Sequence, residues 1–234
     1  MRKSIPLLFG LLVALAPAAR ADVHEARRSY RAGAYATALD ALLPLAEAGE
    51  AEAQYDMGAL YCDGLAVGRN YRKAAQWYSR AAEQGHKGAQ FSLGFLAYHG
   101  AGRGEADGAV ARDPVAAARW LKPAAERDNA MAQYLLATLY RKGEGVPPDQ
   151  DKALRWALAA AERGIAGAQY EAALVLGSRE HALASWVEAY KWFLLAARKG
   201  YPGARQNLEI LAKRLSVDKI AQAETKAEAW RPVR

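Results

Sequence analysis

The side chains able to do chemistry in this 234-residue chain are few and scattered. Its four histidines, His24, His86, His99 and His181, fall in four different segments, and Cys62 is its one cysteine. A soft metal needs several such ligands at close helical or loop spacing. No His/Cys/Asp set has that spacing, and His24-Glu25 runs on into Ala26-Arg27-Arg28, so HExxH is absent too. No serine stands in a G-x-S-x-G turn. The run Gly100–Asp113, GAGRGEADGAVARD, has glycines enough for a phosphate-cradling loop. Dinucleotide binding, however, needs a strand before it, and a Walker loop ends in Gly-Lys-Ser/Thr; neither is present. The run reads as a surface loop, with contact to a partner as its functional option. Glu83, Glu126 and Glu162 recur at matching places and read as solvated helix ends, not as an acid/base pair. Cys62 has no basic neighbour to activate it and reads as a packing residue. The expectation is therefore no catalytic residue, no cofactor and no metal.

The elements that carry these side chains are repeats. Asn129–Gly164, NAMAQYLLATLYRKGEGVPPDQDKALRWALAAAERG, reads as two short helices around a Gly/Pro loop. Asp149 stands where an N-cap belongs and Gly164 where a helix stops. Aligned on the first-helix glutamine, the unit recurs at Gln54, Gln90, Gln133 and Gln169, spaced 36, 43 and 36. Aligned on the second-helix tryptophan, it recurs at Trp77, Trp120, Trp156 and Trp192, spaced 43, 36 and 36. One seven-residue insertion, in the inner loop of the second copy, accounts for both irregular spacings. An alanine precedes each tryptophan by three (Ala74, Ala117, Ala153, Ala189), and Asn70, Asp113, Asp149 and Ser185 share the cap position. Hairpins this short cannot bury an apolar face alone, so neighbours must stack. Small residues at Gly58, Gly94, Ala137 and Ala173 would allow close approach, with the tryptophans filling the space between hairpins.

The segments AQYDMGALYCDG…NYRKAAQWYSRAAEQG and AQYLLATLYRKGEGVPPDQDKALRWALAAAERG resemble Sel1-like repeats, relatives of the tetratricopeptide repeat, from roughly Glu50 to Ala212. The resemblance implies an all-α, right-handed α/α solenoid of stacked hairpins. It implies divisions at 22–49 (N-terminal capping hairpin), 50–85, 86–128, 129–164 and 165–200 (four repeats) and 201–234 (C-terminal capping helices and tail). Two loop positions depart from the pattern: Ala66 replaces the second loop glycine of the first copy, and Arg179 the first of the fourth. Ser216 is expected to cap a last, polar helix, and the final RPVR to fray. Proteins of this kind act as adaptors or inhibitors in protein complexes, and some exported bacterial members resemble immunity proteins that neutralise envelope-active toxins, lipases among them. The alternatives are an envelope adaptor in assembly or signalling, and a β-lactam-binding or cell-wall hydrolase. The last belongs to cysteine-rich relatives whose paired cysteines this chain lacks.

The chain starts with a basic Arg2-Lys3, an apolar run from Ile5 to about Ala16, and Ala19-Arg20-Ala21. That is the pattern of a cleavable signal peptide, residues 1–21, with export to the periplasm or beyond and a mature start at Asp22. The apolar run is shorter than the roughly 20 residues of a membrane span. Removing it lowers the net charge from +7 to +4, with 29 basic against 25 acidic side chains. So mild a balance, with export, argues against nucleic acid as a partner and leaves a protein or peptide, bound by a chain that is a monomer when free.

The resemblance also places the first helix of each hairpin on the concave side. The inward positions transfer as Glu52, Tyr55, Ala59, Cys62 and Asp63, then Gly88, Phe91, Phe95, Tyr98 and His99. The third copy adds Met131, Tyr134, Thr138, Arg141 and Lys142, and the fourth Gly167, Tyr170, Leu174, Gly177 and Ser178. The candidate partner-binding residues are Phe95, Tyr98, His99, Tyr134, Thr138, Arg141, Lys142 and Tyr170. Aromatic side chains beside cations are the types that anchor interfaces. Tyr55, Phe91, Tyr134 and Tyr170 recur in phase, so core packing is the competing role for those four.

Overall fold

Alanine, leucine and long unbranched side chains dominate the periodic segments, and such residues lose little freedom in a helix. The computed structural model describes residues 17–102, 108–178 and 183–233, with side chains from residue 23 onward. Among them are twelve helices and no strand. They are α1 (Pro17–Arg31) and α2 (Tyr35–Glu47), α3 (Ala51–Asp63) and α4 (Tyr71–Glu83), α5 (Lys87–His99) and α6 (Pro114–Glu126), α7 (Ala130–Lys142) and α8 (Gln150–Glu162), α9 (Ala166–Gly177) and α10 (Leu183–Arg198), and finally α11 (Ala204–Ala212) and α12 (Val217–Ala229). Helices pack chiefly on their chain neighbours, and the first helices also touch one another at α1/α3, α5/α7 and α7/α9. The chain is an all-α repeat solenoid. The apolar run Ile5–Ala16 of the expected signal peptide, and Arg179, lie outside the described residues; α1 begins at Pro17, before Ala21.

Side-chain caps set the start of three second helices, α4, α6 and α8. Asn70 accepts from the Lys73 amide at 2.8 Å, Asp113 from Val115 and Ala116 at 3.0 Å, and Asp149 from Lys152 at 2.9 Å. Two first helices gain caps the repeat alignment did not foresee, His86 on Ala89 (3.0 Å) and Asn129 on Ala132 (2.9 Å). Ser185 does not cap. Helix α10 starts at Leu183, so Ser185 lies inside it. Ser216 occupies the N-cap position of α12, but its hydroxyl makes no bond to the helix.

The recurring small residues decide how near the two helices of a hairpin come. A Cβ on Gly58 would fall 2.5 Å from the Tyr78 ring, and one on Gly94 2.8 Å from Leu121. Ala74, Ala117, Ala153 and Ala189 are all 0% exposed. The tryptophans are a correction. Only Trp192 is buried, at 2%, whereas Trp77, Trp120 and Trp156 are half-buried with a guanidinium lying over each ring. Trp192 is covered because the end of the chain folds back. Trp230 meets its ring edge-on at 6.1 Å, the Val233 amide donates to Glu162 O at 2.8 Å, and Ala223 and Ala227 of α12 are buried against α10. Arg231, Pro232 and Val233 are themselves exposed, with the Val233 amide as the one backbone tie back to α8.

The repeated glutamine has a role that the sequence alone does not reveal. Gln54, Gln90, Gln133 and Gln169 are buried, and each Nε2 donates to a carbonyl eight residues earlier, at Ala46, Ala82, Ala125 and Ala161 (3.1, 3.3, 3.1 and 3.4 Å). Each Oε1 of the first three accepts from the residue that ends the hairpin's second helix: Gln84 (2.8 Å), Arg127 (2.8 Å) and Arg163 (3.4 Å). Those residues also reach the preceding turn, at Gly49 O, Gly85 O and Asp128 O. Each of these three hairpins is thus stitched to the one before it through a buried glutamine. In the fourth copy the donor is Lys199, whose ammonium bonds Gly164 O, and Gln169 Oε1 has no donor among the described residues. A guanidinium offers several N–H donors in a fixed fork, where an ammonium is a point charge. Lys199→Arg should therefore supply the missing bond and stabilise by about 0.5–1.5 kcal/mol. A higher urea midpoint with an unchanged slope is the expected result; an unmoved or lower midpoint would show that the fourth glutamine needs no donor.

Candidate functional site

Helix α5 carries the most exposed aromatic group of the first-helix layer. Phe91, Phe95 and His99 follow one another at helical i, i+4 spacing, so their rings form a ladder, with centroids 5.8 and 4.4 Å apart. Tyr98 joins it edge-on to His99 at 4.8 Å. Phe95 is 40% exposed, unusual for so large an apolar ring, and His99 is also exposed. Burial, and after it the Arg112 guanidinium, hold the His99 imidazole below its ordinary value, so it is neutral at pH 7. Arg112 sits over the Tyr98 ring at 5.8 Å, donates to Tyr98 O at 3.1 Å and pairs with Glu144. Burial raises the Tyr98 hydroxyl, against a hydrogen bond with Thr138. Phe95, Tyr98 and His99 thus form one cluster.

The other candidates behave differently. Thr138 is a correction: it is 3% exposed, its hydroxyl donates to Tyr134 O at 3.2 Å, and no partner can reach it. Arg141 is committed within the fold. Its Nε and Nη2 engage both oxygens of Glu171, the second at 3.2 Å, and Glu171 is itself buried at 5%. That carboxylate bond raises the Arg141 guanidinium further above its ordinary value. Lys142 is exposed at the end of α7. Tyr134 and Tyr170 pack. A Cβ on Gly167 would stand 2.6 Å from the Tyr134 ring, and one on Gly203 3.3 Å from the Tyr170 hydroxyl, just as Gly88 lies under Tyr55 at 3.1 Å. The Tyr134 hydroxyl also meets that of Tyr201 at 3.2 Å, and Tyr170 accepts from Asn207 at 3.1 Å. Each recurring tyrosine therefore lies against the glycine that starts the next first helix.

Burial, then Asp63, raises the Cys62 thiol, which keeps it neutral and not a thiolate nucleophile. The spacing Ser216-x-x-Lys219 is that of serine acyl-enzymes. Here Ser216 is exposed at a helix start, and Lys219 Nζ turns away to Gln222 at 3.2 Å. Among the described residues no three His/Cys/Asp/Glu side chains are grouped to hold a metal, and no helix is long and apolar enough to cross a membrane. The arrangement presents aromatic area beside fixed charge.

A family profile described as Sel1 repeat matches residues 51–86, 88–129, 130–165 and 187–201. Among solved structures, the chain is similar to a Sel1 repeat protein from Oxalobacter formigenes, with 28% identity, a TM-score of 0.66, and coverage of 88% of this chain and 82% of that one. It is also similar in fold to c5321, a protective antigen present in uropathogenic Escherichia coli strains that displays an SLR fold. There the identity is 24% and the TM-score 0.57, over 91% of this chain and 53% of that one, so the present chain spans about half its length. No curated protein matches the sequence.

Proposed function

The chain belongs to the Sel1 repeat family, and from that premise we propose that it is a non-enzymatic, exported scaffold that holds one protein partner on its first-helix face. Sel1 repeat proteins are generally scaffolds for protein–protein interaction. The observation that carries the reading to this surface is the Phe95–His99–Tyr98 cluster, an aromatic patch left in solvent in a chain that covers its other large rings by packing or cations. Such rings give large contact area at little cost in side-chain entropy. Export rests on the sequence: a basic start, an apolar run and Ala19-Arg20-Ala21, with cleavage after Ala21 leaving Val23 and Ala26, the first buried side chains described, in place. The compartment is then the periplasm or the exterior. The specific form we favour is an inhibitor or immunity protein for an envelope-active toxin such as a secreted lipase; an adaptor in envelope assembly or signalling is the alternative.

Affinity capture from an envelope extract, read by mass spectrometry, tests both halves. The protein's own N-terminal peptide should begin at Asp22, and an intact Met1 in the envelope fraction would refute export. One partner should be captured saturably, and Phe95→Ala or His99→Ala should weaken it by about 1–2 kcal/mol each without loss of helicity. Equal capture of that partner by both variants would move the interface off this face. A toxin whose activity falls on binding favours the inhibitor form.

A further inference from the structure

The chain's own end shows how the second-helix layer can be occupied. At Trp230 the backbone leaves α12 in extended form, with φ −67° and ψ 138°. The segment Trp230-Arg231-Pro232-Val233 then lies against the end of α8 and the middle of α10. Its Trp230 ring meets Trp192 edge-on at 6.1 Å, and the Lys199 ammonium stands 5.6 Å from the Trp230 ring centroid. The Val233 amide donates to Glu162 O at 2.8 Å. Trp230 and Pro232 close over the turn at Gly164, each 3.6 Å from where a Cβ would stand, which leaves room there for little beyond a methyl group. Arg231 adds nothing to the seat, since its guanidinium turns back to Glu228 O and Trp230 O.

This seat is built from repeat positions, so it recurs. At the junction of α4 and α6, Trp120 stands for Trp192, Glu83 for Glu162, Gly85 for Gly164 and Arg127 for Lys199. The local geometry matches. Gly85 turns at φ +84° and Gly164 at +85°, and Arg127 bonds Gly85 O at 3.4 Å as Lys199 bonds Gly164 O. Arg119 lies over Trp120 at 4.8 Å, as Lys191 lies over Trp192 at 4.0 Å. Here, however, the seat is open. A Cβ on Gly85 would meet nothing within 4 Å, Glu83 O has no donor among the described residues, and Trp120 is half-buried against the cluster that holds Ala81 and Ala82. The loop after α5 touches α4 at its other end, where Gly108 O accepts the Arg72 amide at 3.0 Å. The two remaining junctions each lack a part. Beside Trp77 the cation is replaced by uncharged Gln84, and between α6 and α8 the turn glycine is replaced by Asp128, which pairs with Arg163 at 3.1 Å.

We propose that the groove between α4 and α6 receives an extended Trp-x-Pro-Val segment of a partner protein. Its tryptophan ring stands edge-on to Trp120 within reach of the Arg127 guanidinium, and the amide three residues on donates to Glu83 O. Ring, proline and backbone choose this occupant, not the balance of charge around it. The tail of a second copy has the same chemistry but is already seated on its own chain, where the tether gives it a high effective concentration. The proposal rests on the scaffold reading above and adds a second seat, on the layer that does not carry Phe95.

The probe is a labelled peptide with the sequence of residues 228–234, titrated into the full mature chain by fluorescence anisotropy. It should bind saturably. Replacing its tryptophan by alanine should weaken binding by about tenfold or more, and N-methylating its valine, which removes the donated N–H, by about threefold or more. Gly85→Asp copies the turn of the third repeat, where aspartate already holds a positive φ, and should weaken the peptide by about tenfold with helicity unchanged by circular dichroism. A photoreactive group in place of the peptide's tryptophan should crosslink to α4 or α6. No binding, indifference to Gly85→Asp, or crosslinks to α10, where the peptide merely displaces the chain's own tail, would each overturn the proposal. So would concentration-dependent dimers that vanish when residues 230–234 are deleted, since the occupant would then be a second copy. If wild-type chain still captures its envelope partner while the peptide fails, this seat alone falls; if capture fails too, so does the scaffold reading.

Discussion

Replacing Arg141 with methionine should destabilise the protein by about 3–5 kcal/mol, because it strands a buried carboxylate. Glu171 lies between α7 and α9 with its side chain 7% exposed, and Arg141 supplies the opposing charge to both of its oxygens. Tyr98 and Tyr170 lie close enough to be coupled electrostatically to Arg141 and add no second cation. The loss should be largely recovered in Arg141→Met/Glu171→Met, where both charges leave together, since an apolar pair of similar volume often replaces a buried ion pair without net cost. Urea denaturation followed by tryptophan fluorescence gives the cycle. A single mutant within about 1 kcal/mol of wild type would mean that water reaches Glu171. Arg141→Glu would set two carboxylates against each other in the same place. Lost partner binding in that variant would report unfolding, which is why exposed Phe95 is the better probe of the interface.

Trp192→Ala should cost about 3–5 kcal/mol, and Trp156→Ala clearly less, although the two occupy the same position of successive repeats. Trp192 is sandwiched: Trp230 meets it edge-on at 6.1 Å and the Lys191 ammonium lies 4.0 Å from the ring centroid. Its removal leaves a cavity under the C-terminal helices. Trp156 is half-buried, with the Arg155 guanidinium 4.7 Å above its ring, so solvent takes up part of the space its truncation leaves. Deleting residues 230–234 should uncover Trp192, shift its emission to longer wavelength and lower the melting temperature. Equal losses in the two alanine variants would refute the claim that the tail, and not the repeat, buries this ring.

The contrast between those tryptophans shows where sequence reasoning stops. Spacing places Trp156 and Trp192 identically, since a repeat pattern records only what recurs. Their burial differs because of what lies beyond the repeats, a tail that returns from more than thirty positions away in sequence. Arg141 fails in the same manner. No cation recurs at its position in the other three copies, and its partner Glu171 has one counterpart, Asp56, which pairs with Arg27 of the preceding first helix; a carboxylate present in two copies of four leaves little periodic trace. Recurrence alone leaves both a packing and a contact role open to Tyr134 and Tyr170, and the glycines beneath them, Gly167 and Gly203, give the packing role its mechanism.

What the sequence by itself determined is therefore what depends on near neighbours: helices from apolar periodicity, three second-helix starts from Asn70, Asp113 and Asp149, and a solenoid from hairpins too short to stand alone. The period also located the insertion. Only the tertiary structure decided that Gly108, in the loop after α5, is bonded to the start of α4 in the preceding hairpin, that Arg141 is consumed by Glu171, and that the chain's end shields Trp192. Those outcomes hang on hydrogen bonds and burial between residues tens of positions apart, and local propensity carries no record of which distant group will arrive.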